Sequence, residues 1–332
     1  MFRFASLFLL YTCLSPLLLA ADVHPYDSPN IYGQAIWIGQ GDERYPAIYA
    51  EAAVPEPKGV VIMLHAAGEH PQWPVVIQLL REQLTDHGWN TLALQLPIPQ
   101  ASDRTLDRKA YIEMAGKKLQ QAINHMMPEN PPVIVLLGHG LGANAMIKRA
   151  SEHLDNNLLA VVGISINADA HQASALNTLQ QISQLKLPIL DLYAERDRFE
   201  VRNSAKQRKR AALKAGNKDF RQLKIPGADH HFNNQSALLG SRVKSWLDAT
   251  YRKQLKEAEK TKDSMMEMPA QEQGMKGITT PMLPTETAEP EMNKTDTETE
   301  AEMPTGEETM KPAQTNEMDP QSPNPTGPEG LF

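Results

Sequence analysis

The chain has 332 residues, of which 41% are hydrophobic and 22% charged, with a formal net charge of −7 and one cysteine. That is enough apolar chain for one large mixed core with surplus at both ends, and a lone cysteine excludes a disulfide framework. The charge is unevenly placed, because residues 257–332 hold 17 acidic and 5 basic residues, −12 in all, so the rest of the chain carries about +5.

Residues 1–21, MFRFASLFLLYTCLSPLLLAA, set one basic residue, Arg3, ahead of an apolar run that ends in small residues. This pattern predicts an export signal, with cleavage near Ala20 or Ala21. Leu18 and Leu19 before those alanines suit an uncleaved N-terminal anchor as well. Cys13 lies inside this segment, and Tyr11 and Thr12 stand where a lipoprotein signal has a small residue. The pattern therefore predicts export from the cytoplasm. Residues 22–34 read as a linker.

Two short edge strands are expected at 36–38 and 47–52, separated by the turn-prone Gly41, Asp42 and Glu43. The continuous apolar run 59–65, GVVIMLH, reads as a strand covered on both faces. A loop, AAGEHPQWP, a helix over 75–84 and a second buried strand over 89–96 follow. Residues 108–127 have the period of an amphipathic helix, with Tyr111, Met114, Ala115, Leu119, Ala122 and Ile123 inward.

After a strand over 133–137 comes a helix to about 154, then a strand at 158–166 and a helix at 173–182. A strand at 188–193, a helix at 200–215, a strand at 220–225 and a closing helix from 236 to about 256 complete the domain. Apolar strands alternating with helices predict an α/β fold, a mostly parallel sheet covered on both faces. The connection 166–188 holds one helix, so no large lid domain is expected. The segment 257–332 is rich in Pro, Glu, Thr and Met and has one aromatic, Phe332. It cannot bury enough apolar surface to offset the entropy of ordering, so disorder is expected there.

The chemistry centres on PPVIVLLGHGLGANA, residues 131–145, where a β-branched run meets Gly138, Gly140 and Gly142 and then a helical pattern. A strand that turns so tightly into a helix needs small flanking residues and lifts its central residue above the sheet edge. This corner resembles the nucleophile elbow of the α/β-hydrolase superfamily, and residues 35–256 follow that superfamily's order of elements. More narrowly, HAAGEHPQWP, GHGLGA, LYAERD and PGADHHF resemble an uncharacterised family of exported bacterial proteins with a hydrolase-like fold.

What the resemblance implies for the site is mixed. Asp197, in the turn after the LPILDLY strand, matches the superfamily's acid, with Glu195 a second choice and Asp191 inside the strand. His230, in the loop Pro226-Gly227-Ala228-Asp229-His230, matches the general base, with His231 its rival. Ala66 or Ala67 and the amide of Leu141 match the oxyanion donors, and His65 fixes their loop. Glu69, His70 and Trp73 are expected at the rim. The apex itself is Gly140, so the position of the nucleophile is vacant. Ser165, in GISIN, reads as a strand-end serine without an elbow.

Without an elbow hydroxyl the implied function is a pseudoenzyme that binds an unknown ligand in the old cleft, or a cell-envelope partner. The alternative is a weak ester or amide hydrolase in which His230 and Asp197 activate a water. No cofactor is implied. His65, His70, His139, His230 and His231 all fall after predicted strands, which leaves a bound metal as a third reading, although their irregular spacing matches no standard metal-ligand pattern. Arg202, Lys206, Arg208, Lys209, Arg210, Lys214 and Lys218 give the helix at 200–215 a basic face suited to an anionic surface or to the chain's own acidic tail. An exported chain has no nucleic acid to meet.

Overall fold

The computed structural model describes residue 26 and residues 28–98, 107–152, 157–168 and 177–266. The expected signal, residues 22–25 and 27 of the linker and the expected tail beyond residue 266 lie outside the described residues.

Eight strands form one sheet in the order β1-β2-β4-β3-β5-β6-β7-β8. The antiparallel edge is β1 (Gln34–Ile38) and β2 (Tyr45–Ala50), joined over a short 3-10 turn, Gly41–Glu43. Next to it lie β4 (Asn90–Leu94), antiparallel to β2, and β3 (Val60–Leu64), parallel to β4. Parallel pairing continues through β5 (Ile134–His139), β6 (Leu158–Ile164), β7 (Ile189–Arg196) and β8 (Phe220–Asp229).

The central strands are unbroken apolar runs because both faces are covered. Alternate residues supply two separate cores. Val60, Ile62, Leu64, Ile134 and Leu136 pack beneath α2 (Arg108–Met126) and α3 (Leu141–Glu152). Val61, Met63, Val135 and Leu137 pack on the other side with Leu80 and Leu84 of α1 (Leu79–Thr85) and Leu239, Val243 and Leu247 of the closing helix. Helices α4 (Thr178–Gln184), α5 (Phe199–Lys214) and α6 (Ser236–Met266) complete the cover. This is an α/β-hydrolase-like sheet, and among its described residues the connection from β6 to β7 carries one helix. Among the described residues no helix is long and apolar enough to cross a membrane.

The structure corrects several expected boundaries. The helix expected at 75–84 opens as a π-turn, Pro74–Gln78, before α1 begins. On α2, Met114 is 48% exposed and Ile112 is buried. Tyr111, Ala115, Leu119 and Ala122 centre the inner stripe on a line that Ile112 borders, and Met114 lies beyond its other edge. Strand β8 runs on through Pro226, Gly227 and Ala228 to Asp229, so the expected base loop is largely strand. Helix α6 continues to Met266, which makes residues 257–266 of the expected tail helical. Lys253, near its exposed end, pairs with Asp219 at 2.7 Å and with Glu257 at 3.9 Å.

Candidate functional site

The corner between β5 and α3, at the C-terminal edge of the sheet, leaves no room for side chains on either side of its apex. A Cβ on Gly138 would lie 2.6 Å from the amide nitrogen of Ala143, and one on Gly142 2.4 Å from the carbonyl of His65. Only glycine fits at either position. Between them Gly140 has a left-handed φ of +55°, and its N–H donates to the Ile164 carbonyl at 2.9 Å. A Cβ on Gly140 would stand 2.9 Å from the Cβ of Ala66, so the apex is closed in by the loop after β3.

Asp197 is the first residue past β7, and its carboxylate is fully buried. Oδ1 accepts from His230 Nδ1 at 2.7 Å and from the Arg198 amide at 2.8 Å, and Oδ2 accepts from Ser165 Oγ at 2.6 Å and from the Ala194 amide at 3.0 Å. Burial alone would raise its pKa. The donors from His230, Ser165 and Ala194 outweigh that and hold it below the ordinary carboxylate value.

His230 follows the last residue of β8. Burial, with the nearby charges of His139 and Arg198, lowers its pKa despite Asp197, so the neutral ring presents Nδ1–H to the acid and a lone pair on Nε2. Ser165 sits just past β6 at φ +54° and is completely buried. Its hydroxyl is spent on Asp197 rather than on an imidazole, so this second bend at the sheet edge positions the acid.

The expected oxyanion loop is arranged differently. The Ala66 N–H donates to Glu69 Oε2 at 3.0 Å, which leaves the amides of Ala67 and Leu141 as the ones that enter none of the corner's backbone bonds. Glu69 is not at the rim: it is 5% exposed, and its Oε2 also accepts from His139 Nδ1 at 3.0 Å. Burial would raise the Glu69 pKa. The His139 hydrogen bond and charge, with the Ala66 amide, outweigh burial and bring it to about 2.

His139 is fully buried and its Nε2 faces the carbonyl of His230 at 3.2 Å. An ionised carboxylate and a carbonyl can only accept, so each ring nitrogen of His139 faces an acceptor. The site thus holds two histidine–carboxylate pairs with the rings of His139 and His230 5.2 Å apart.

His65 fixes the loop. Its Nε2 accepts from the Leu96 amide at 3.0 Å and its Nδ1 donates to the Ala66 carbonyl at 2.7 Å. Burial brings its pKa down to about 4, so it is neutral. His231 is turned from Asp197 toward Glu69, with Nδ1 3.4 Å from Oε1, and Trp73 stands between it and His70, at centroid distances of 5.9 and 5.7 Å.

Asp191 is a core group, held bidentately by Arg208 at 2.8 and 3.1 Å. That contact also removes Arg208 from the expected basic face. Glu195 caps the neighbouring turn through Lys224 and the Gly227 amide. Among the described residues no group of three or more His, Cys, Asp or Glu is placed to hold a metal ion.

The sequence brings Asp197, His230 and Gly140 to one edge as a resemblance implies, but the pairing of Glu69 with His139 is not legible from spacing. Its signal is the register of β3 and β5, in which Leu64 lies beside Gly138, so the residues that follow each strand become neighbours.

The fold is shared with solved hydrolases at low identity. The structure is similar to Est1E from Butyrivibrio proteoclasticus (TM-score 0.52, 16% identity, 65% of this chain and 98% of that one). It is similar to the dienelactone hydrolase of Anabaena variabilis ATCC 29413 (0.54, 18%, 65% and 96%). It is also similar to an alpha-beta serine hydrolase homologue from Coxiella burnetii (0.51, 15%, 66% and 99%). At these identities the likeness is one of fold alone. No curated protein matches the sequence. The family described as "Protein of unknown function (DUF3530)" matches residues 32–110 and 99–249, and the chain belongs to that family.

Proposed function

We propose that this is an exported, non-catalytic α/β-hydrolase-like protein that binds a ligand or a cell-envelope partner at the C-terminal edge of its sheet. The observation that carries the reading is the apex of the corner, where Gly140 offers no side chain and Ala66 borders the space one would need. Loss of a triad nucleophile removes a factor of about 10⁶ in rate, roughly 8 kcal/mol of transition-state stabilisation. The ionised Glu69 adds to this. A carboxylate already seated on the Ala66 amide repels the negative charge that acyl transfer would build there. Export rests on the signal-like residues 1–21.

The test uses the full chain with a fluorophosphonate probe and a series of small acyl esters. No serine adduct and no turnover above that of His230→Ala are expected, and an adduct at any serine overturns the reading.

A second reading, direct attack by a water activated at His230, is favoured by the 2.7 Å contact to Asp197 and the unprotonated Nε2. Ester turnover abolished by His230→Ala, without an adduct, would select it.

A further inference from the structure

Helix α5 carries an exposed stripe that the site does not use. Phe199, Arg202, Lys206, Lys209, Arg210 and Leu213 recur at helical spacing and all six are exposed, so they lie along one line of the helix. Its opposite face, Val201, Ser204, Ala205, Arg208 and Ala212, is buried on the sheet. The stripe is apolar at both ends, with Phe199 66% and Leu213 49% exposed, and wholly cationic between them.

Those cations are unspent. Among the described residues none of Arg202, Lys206, Lys209 and Arg210 makes an ion pair. Three neighbouring acids are committed elsewhere, Asp191 to the buried Arg208, Glu195 to Lys224 and Asp219 to Lys253, and Glu200, the acid of the helix itself, lies off the stripe by its helical position. Lys206, Lys209, Arg210, Leu213 and Lys214 line one open concavity, floored by Gln222 of β8.

A merely solvated helix has no reason to set large apolar side chains at both ends of an acid-free line of cations. An anionic leaflet matches each part: headgroup phosphates meet Lys and Arg, and the two apolar side chains reach the acyl boundary. A polyanionic glycan would use the charges and leave Phe199 and Leu213 in water. We propose that this face of α5 docks peripherally on a membrane surface of anionic phospholipid.

The experiment is co-sedimentation of the full chain with vesicles of phosphatidylcholine, alone or mixed with phosphatidylglycerol, over a salt series. Binding to the mixed vesicles alone, falling steeply with salt, is expected. Each charge removed from the face lowers partitioning about fivefold. Lys209→Glu therefore weakens binding at least that much, whereas Lys117→Glu, an equal charge change on α2, does not. Leu213→Ser and Phe199→Ser lower it several-fold at fixed salt, and far-UV circular dichroism checks that each variant is folded. Equal binding to neutral vesicles, equal effects of the two lysine reversals, or no vesicle binding by the full chain overturns the proposal. A full chain that stays in the supernatant while the vesicles pellet overturns it even if a polyanionic glycan or residues 267–332 engage the face instead.

Discussion

The Cβ of Ala66 lies 2.9 Å from the point at which a side chain on Gly140 would begin. Restoring a hydroxyl to the corner is therefore not a matter of one substitution. Gly140→Ser meets a left-handed backbone, worth about 1–3 kcal/mol for a residue with a Cβ, and an overlap that the backbone of Ala66 must absorb. Its urea midpoint should fall, and no fluorophosphonate adduct should form. Ala66→Gly in the same chain relieves the overlap but not the backbone term, so the midpoint of the double variant should recover part of the loss.

The legible parts of this protein are those fixed by local pattern. Runs such as Val60–Leu64 and the glycines around Gly140 announce buried strands and a tight corner without any knowledge of neighbours. What stays hidden depends on which elements meet. Glu69 looks like a loop carboxylate until β3 and β5 pair and bring His139 to it. Arg208 looks like one more cation of a basic helix until Asp191, inside β7, is seen to face it. In both cases a charge reads as solvated because its partner is far away in sequence.

The Glu69–His139 pair makes a prediction with a definite sign. The folded pKa of Glu69, about 2, lies below its ordinary 4.5, so the folded state binds fewer protons between those values than the unfolded chain. The resulting stability is fully present above pH 4.5 and is lost as pH falls toward 2. Its size is about 3 kcal/mol. Urea unfolding of the natural chain and of Glu69→Gln should differ most above pH 4.5 and converge as pH falls. Other depressed carboxylates, Glu195, Asp197 and Asp229, are common to both proteins and cancel in the difference. A gap that stays constant with pH would show that Glu69 stabilises by shape alone.

Arg208 and Asp191 are both fully buried, with side chains 0% exposed. Arg208→Met strands a carboxylate in the core with only Gln222 Nε2 left as a donor, at 2.7 Å, and should cost about 3–5 kcal/mol. Asp191→Ala combined with Arg208→Met should be less destabilised than the Arg208 change alone, because no unpaired charge remains. Lys209→Glu, one residue away but exposed, should stay within about 0.5 kcal/mol of the natural chain. Denaturant unfolding of these three variants and of Asp191→Ala alone closes the cycle, and a purely additive double variant would mean that the pair is not coupled.

The last comparison, between Asp197 and His230, separates the two readings of the site. Asp197 gathers donors from Ser165, Ala194, Arg198 and His230, and one of them, Ser165, holds a left-handed φ of +54°. Asp197→Ala leaves those donors buried and unpaired and should cost about 3 kcal/mol or more. His230→Ala leaves Asp197 with three of its four donors, so the loss should be smaller, about 1–2 kcal/mol. Groups poised for chemistry tend to be held at a cost in stability, and removing one commonly leaves a protein as stable or more so. If His230 serves structure, its removal lowers the unfolding midpoint and leaves ester turnover at background. If it serves a water-attack hydrolase, its removal abolishes turnover and leaves the midpoint unchanged or raised. Calorimetry and an ester assay on the same two variants therefore decide what this imidazole is for, independently of any ligand.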